Sequence, residues 1–346
     1  MLMKKRFIIM MLLILSIYDQ ALWAQSYPVI DMPRVSQGAS VTQRIGITDI
    51  TIRYHRPGID QRKLHQKSVA PYGQVWRAGA NENTLIKVSH GVKIQGKTLP
   101  AGTYGLHIIP DKSQWTVIFS RNTSSWGSYH YRSEEDVLRI KAEVSKSPHH
   151  QWLTYQFTDI RPQSTTLSLL WGNTRASFDI EVEVPQIVLA HIRNQLRGKS
   201  GFFFQSYYYA ARFCYTHKIN TQEALTWIDR SISRIKTFQN VYIKAKLLAQ
   251  AGKNKESKAL EKEALANATE RELIVYGYKF TDEKIKPYAW FDYIVKRFDT
   301  WTAYKAQGFV FLYYGDLEKA RQSYQTALKK APQEQKEQIR QILSDI

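Results

Sequence analysis

The chain has 346 residues, 43% of them hydrophobic and 23% charged, with a formal net charge of +19 at pH 7. That length exceeds one ordinary core and predicts two domains, while the hydrophobic content excludes a wholly disordered chain. A single cysteine, Cys214, excludes an intramolecular disulfide and a cysteine-built zinc site.

The first predicted element is a leader. Lys4-Lys5-Arg6 precedes an apolar run from Phe7 to Ile17, and residues 18–24 end in Ala24 before Gln25. This is the charged, apolar, cleavable order of a secretory signal peptide over residues 1–24. A retained anchor is the alternative, because Leu22 stands where a small residue is favoured. The apolar run falls short of the about 20 residues a spanning helix needs, so an integral membrane protein is not expected. With no cysteine at the junction to carry lipid, the expectation is a periplasmic product that is not a lipoprotein. Removing the leader leaves +17, of which residues 25–185 carry +6 and residues 186–346 carry +11. Such a balance favours acidic partners. Export replaces nucleic acid with anionic glycans, lipid headgroups or acidic proteins; a merely well-solvated basic surface is the alternative.

After an irregular start, Val41, Gln43 and Ile45 alternate with polar residues, and Ile50, Ile52 and Tyr54 do so again beyond a turn at 46–49. Period-two alternation predicts paired strands. His55-Arg56-Pro57-Gly58 stops the second strand, since proline lacks a donor and glycine supplies a turn. Residues 59–70 read as a basic loop. Strand rhythm returns at Leu85, Ile86 and Val88, at Val92 and Ile94, through Leu99–Pro110, and at Trp115–Phe119. Further strands are expected at 137–144, 152–158, 165–171 and 174–184. In the last, Ala176, Phe178, Ile180, Val182 and Val184 face one way and charged or polar residues the other, the mark of an antiparallel sheet with one wet face. The expected class is α+β multidomain: an antiparallel β-sandwich over residues 35–184, with a barrel as the alternative, followed by helices.

Between these strands lies Pro71-Tyr72-Gly73-Gln74-Val75-Trp76-Arg77-Ala78-Gly79-Ala80-Asn81-Glu82, which has no helical or strand period. Together with Gln43-Arg44-Ile45-Gly46, Tyr54-His55-Arg56-Pro57, Leu99-Pro100-Ala101-Gly102-Thr103-Tyr104, Trp126-Gly127 and Tyr131, this segment resembles the DUF2911 family over about residues 35–184. The resemblance implies an exported protein and no particular activity, since the function of that family is not established. Two stretches depart from the family pattern. Gln61–Ser68 replaces a Gly- and Arg-rich loop, and His149-His150-Gln151 stands where an acidic residue is expected before Trp152.

Helical spacing begins after Pro185 with Val188, Ile192 and Leu196, giving a linker helix and turn over 185–201. Residues 202–346 are expected to form a tetratricopeptide-like solenoid. Gly308, Phe311, Gly315-Asp316, Ala320, Tyr324, Ala327 and Pro332 fall at that repeat's small and large positions. Weaker copies centre on Ala224 and Ser257, the second with Glu261 where an aromatic is expected. The aromatic-rich stretch between Asn267 and Asp299 reads as a diverged helical pair. Such a solenoid is expected to bind a protein or peptide partner, or simply to pack on the β domain.

No residue set points to catalysis. Nine histidines are present, but neither His-x-x-x-His nor His-Glu-x-x-His occurs, no nucleophile elbow or phosphate loop exists, and no metal or other cofactor is expected. His107, inside a strand, reads as a core or rim histidine, and Cys214 as a small buried residue. The candidate ligand-binding residues are Arg56, Tyr72, Trp76, Arg77, Asn81 and Glu82, with Trp126 and Tyr131 from a second aromatic loop. A guanidinium, an amide and a carboxylate held by aromatic rings suit a glycan or peptide. The same residues suit a structural role in which Asn81 caps a turn, Glu82 pairs with Arg77 and Trp76 plugs the core. Two functions follow as expectations: an exported binding or scaffolding protein, or a hydrolase of an envelope polymer using Glu82 with Asp111 or Glu134.

Overall fold

The computed structural model describes residues 32–59, 69–279 and 287–346. The leader, the basic loop at 60–68 and Phe280 of the aromatic-rich stretch lie outside the described residues. The chain divides between Val184 and Pro185 into two compact units.

The first unit is β-rich. Its strands are β1 (Gly38–Ile45), β2 (Thr48–His55), β3 (Thr84–Val88), β4 (Val92–Ile94), β5 (Lys97–Leu99), β6 (Gly102–Ile109), β7 (Gln114–Ser120), β8 (Asp136–Arg161) and β9 (Ser164–Glu181). All pairings are antiparallel, and hydrogen bonds run unbroken through the order β1-β2-β3-β6-β7-β8-β9-β4-β5. The alternation read from the sequence is real burial. Ile50, Ile52 and Tyr54 are buried while Arg53 is exposed, and Ala176, Phe178 and Ile180 are buried against exposed Asp179 and Glu181. Val184, expected at a strand end, instead opens the first helix.

The four strands expected between 137 and 184 are two. β8 and β9 run through the expected breaks because their pairing continues past them, with register shifts between Lys146 and His150 and between His150 and Thr154. Irregularities of this kind bend a strand without ending it. The bend matters for position, since the middle of β8 meets the chain leaving β2. Leu153 N–H donates to Pro57 O at 3.1 Å and Ile59 N–H to Gln151 O at 2.9 Å.

The second unit is helical: α1 (Val184–Gln195), α2 (Phe204–His217), α3 (Thr221–Arg234), α4 (Phe238–Gln250), α5 (Asn254–Asn267), α6 (Glu270–Tyr278), α7 (Tyr288–Phe298), α8 (Trp301–Tyr313), α9 (Leu317–Lys330) and α10 (Gln333–Ser344). Neighbours pack pairwise, α2 with α3, α4 with α5 and α8 with α9. Each of these pairs is joined by three residues, a length that leaves consecutive helices antiparallel. The 304–332 pattern is the α8–α9 pair, with Phe311, Ala320, Tyr324, Ala327 and Ala331 in one buried cluster. The two weaker copies are the α2–α3 and α4–α5 pairs. Glu261, the misfit in the second copy, accepts from Lys246 Nζ at 2.6 Å. Cys214 is buried, and desolvation pushes its thiol up to about 11, which leaves it inert. No helix among the described residues is long and apolar enough to cross a membrane.

Candidate functional site

The site is built from the outer face of β1–β2–β3. Strand alternation puts Asp49, Thr51, Arg53 and His55 on the face of β2 opposite the core. Their β1 partners are Arg44, Thr42, Ser40 and Gly38. Near the hairpin turn these pairs close on each other. Arg44 grips Asp49 with two hydrogen bonds of 2.7 Å, and the hydroxyls of Thr42 and Thr51 are 2.9 Å apart. Further along, β1 offers only Ser40 opposite Arg53 and a bare glycine opposite His55, so nothing covers these two side chains from that strand. On the other side Arg53 neighbours Leu85 of β3.

One wall is the segment Thr123–Trp126. It lies close over the sheet because Gly105, next to Leu85 across β3 and β6, has no side chain. A Cβ there would stand 2.3 Å from the backbone oxygen of Asn122, closer than any real contact. Trp126 is placed by a bridge to Glu82, which makes the two side chains cross-strand neighbours. The other wall is the segment 32–37. Two adjoining concavities of about 390 and 670 Å³ result, sharing Gly38, His55 and Glu82.

Within this groove Glu82 Oε1 accepts from Arg34 Nη1 at 2.6 Å, and Oε2 lies 3.3 Å from His55 Nδ1. The Arg34 hydrogen bond holds the Glu82 carboxyl below the usual carboxylate range against the opposing effect of burial, with smaller help from its own backbone and from His55. Asn83, 6% exposed, donates from Nδ2 to Ser125 Oγ at 2.9 Å, while its Oδ1 has no partner among the described residues. Trp126 is 52% exposed on the wall.

Of the eight candidate residues, Glu82 and Trp126 line this groove. Arg56 is part-buried and donates to Leu153 O and Thr154 Oγ1, tying the end of β2 to β8. Trp76 is buried, stacked on Trp171 with ring centroids 5.5 Å apart, and donates to Gly79 O at 3.1 Å. Asn81 Nδ2 donates to Ser36 O at 3.0 Å and so holds the wall at 32–37. Tyr131 belongs to a separate network, donating to Asp136 Oδ2 at 2.7 Å and accepting from Arg139 Nη2 at 2.6 Å. Burial, then the Asp136 contacts, push its hydroxyl up to about 12. Tyr72 is exposed and lines neither concavity.

The expected pairing of Glu82 with Arg77 is replaced by Arg34 and His55. Arg77 Nη1 instead donates to Asn81 O at 2.9 Å and lies beneath Gly127, 2.8 Å from where a Cβ would sit. It braces both groove loops without facing the ligand space. Arg77→Ala is therefore expected to cost about 1–2 kcal/mol through a lost charged hydrogen bond. A thermal melt checks this, and an unshifted midpoint would remove the bracing role.

Sequence reasoning missed Arg34, Arg53, His55 and Asn83. For Arg53 and His55 the signal was available: small residues at positions 38 and 40 opposite large polar ones is a pattern that leaves a hollow. Neither Asp111 nor Glu134 lines the groove, where Glu82 is the sole carboxylate among the described lining residues. Among the described residues no three histidine, cysteine or acidic side chains cluster as a metal site.

In the helical unit, a hollow of about 630 Å³ is lined by Ile274, Tyr278, Trp301, Phe309 and Tyr324, with Arg271 and Lys305 among its polar lining residues. Phe309 is 45% exposed there.

Comparison with known proteins gives a family match over part of the chain and a distant structural likeness. No curated protein matches the chain. A solved structure described as "Crystal structure of YrrB: a TPR protein with an unusual peptide-binding site" is similar at 15% identity, covering 43% of this chain and 79% of that one, with a TM-score of 0.23. Residues 36–180 match the family described as "Protein of unknown function (DUF2911)". The part of this chain that is similar to the DUF2911 family is therefore the β-rich stretch that carries the groove, and it is followed by a helical region.

Proposed function

We propose that this is an exported binding protein of the cell envelope, periplasmic after removal of residues 1–24, whose groove holds a saccharide and whose helical unit takes up a protein or peptide partner. We read the nine-stranded antiparallel ladder of the described residues as a β-sandwich that serves as the support of the groove. The carrying observation is the pairing of a half-exposed indole, Trp126, with Glu82 across a short bridge, above a floor of arginine, histidine and serine. An aromatic face beside fixed polar groups suits the ring faces and hydroxyl edges of a sugar. Hydrolysis of a glycosidic bond needs two carboxyl groups about 5–10 Å apart, and only Glu82 lines the groove among the described residues. Binding is thus better supported than catalysis. For the helical unit, the support is the partly exposed aromatic hollow around Phe309, a form that suits an apolar peptide side chain.

Isothermal titration of the mature chain with short neutral and acidic oligosaccharides tests the groove. Trp126→Ala is expected to weaken binding at least tenfold with the melting midpoint unchanged, because an exposed indole contributes little to the core. Absence of binding to every saccharide, or full binding by Trp126→Ala, would reject the reading.

A further inference from the structure

Charge in the groove is not balanced. Glu82, its one carboxylate among the described residues, is engaged by Arg34 at 2.6 Å and faces His55 at 3.3 Å. Arg53 lies on the same floor, exposed, with neither a carboxylate nor a hydrogen-bond partner among the described residues. Its neighbours across the sheet are Ser40 and Leu85, which can neutralise nothing. Elsewhere on this face the arrangement differs, since Arg44 is clamped by Asp49. The guanidinium that is left unmatched is the one facing the hollow.

We propose that the saccharide bound in this groove carries a carboxylate, and that Arg53 is the residue that reads it. The inference rests on the saccharide reading above and narrows it to the acidic sugars. A planar guanidinium presents two parallel N–H groups that match a carboxylate's two oxygens. Leu85 and the Trp126 indole offer apolar surface to the ring carbons, and Ser124 and Ser125 supply hydroxyls along the same wall. Arg34 keeps Glu82 paired, so the ligand's negative charge meets a cation that is free and a carboxylate that is already neutralised. A peptide with a free C-terminal carboxylate shares the charge but not the ring faces and hydroxyls, and the half-exposed indole favours the sugar.

The test titrates the mature chain with a tetramer of an acidic hexuronate, with the neutral hexose tetramer of the same linkage, and with a tetrapeptide bearing a free C-terminal carboxylate. The acidic saccharide is expected to bind at least tenfold tighter than the neutral one, and this margin should shrink as salt rises. Arg53→Gln should bring the two saccharides within about twofold of each other and leave the melt unchanged, as the side chain is exposed and unpaired. Equal affinities for both saccharides in the wild type would overturn the inference while keeping the saccharide reading. Binding of the peptide alone would overturn both. A preference for the acidic sugar that survives Arg53→Gln would overturn the assignment to Arg53.

Discussion

Trp76→Ala is expected to cost about 3–5 kcal/mol, the range for emptying a buried aromatic site. Trp76 is 5% exposed, stacked on Trp171, and its backbone exchanges two hydrogen bonds of 2.8 Å with Ile108 of β6. The indole is therefore the plug that seats the loop 71–82 on the sheet. Truncation leaves a cavity against Trp171 and frees Gly79 O, its hydrogen-bond acceptor. For a unit of this size the melting midpoint should fall by roughly 10 °C. Trp76→Phe, which keeps much of the apolar volume, should lose less than half as much. Thermal unfolding followed by near-ultraviolet circular dichroism checks both, and a Trp76→Ala midpoint within 2 °C of wild type would mean that the loop is held by its polar contacts alone.

The second large effect is a pH dependence centred on His107. Its side chain is 1% exposed, 3.2 Å from Ser128 Oγ and tilted against Tyr131. Burial lowers its pKa from 6.5 to about 4, outweighing the opposing pull of Asp136 and Glu135. Between these values the unfolded chain binds a proton that the folded chain refuses, so acid favours unfolding. The contribution is fully present above pH 6.5 and is lost as pH falls to about 4. Its size is on the order of 3 kcal/mol for a shift of this extent. His107→Gln carries no titrating group, so the stability difference between wild type and this variant should shrink by that amount between pH 7 and pH 4. Urea denaturation at a series of pH values measures it. Parallel pH profiles for the two proteins would show that His107 becomes protonated in the folded state without penalty.

His107 also illustrates how much of the molecule the sequence discloses. Its position in a strand is legible from Gly102–Ile109, while its burial was open between core and rim and is decided by the structure. Its neighbours are not, because Ser128 and Tyr131 come from a loop more than 20 residues away. Glu82 teaches the same lesson more sharply. Sequence proximity suggested Arg77, five residues away, but the partners are Arg34, 48 residues away, and His55 on β2. The short-range arginine bonds a backbone oxygen instead.

By itself, the sequence determined what depends on local periodicity. Alternation at 50, 52 and 54 and at 176, 178 and 180 dictates which faces of β2 and β9 are buried, because successive side chains on a strand point to opposite sides. Three-to-four spacing through 304–332, broken by Gly315-Asp316, dictates a pair of helices for the same kind of reason. The DUF2911 motifs were legible too, since they are contiguous strings. Tertiary structure alone decided the rest. Strands expected to break at 145–151 and 172–173 run on as β8 and β9, because the two strands pair with each other on both sides of the irregular residues and the pairing resumes beyond each register shift. Arg56 serves β8 and Tyr131 serves Asp136, so both leave the candidate site. The groove exists only because register sets Ser40 and Gly38 opposite Arg53 and His55, and because Gly105 lets the 123–126 segment approach. Register is a relation between strands, fixed by how the whole sheet packs, and no single stretch of chain contains it.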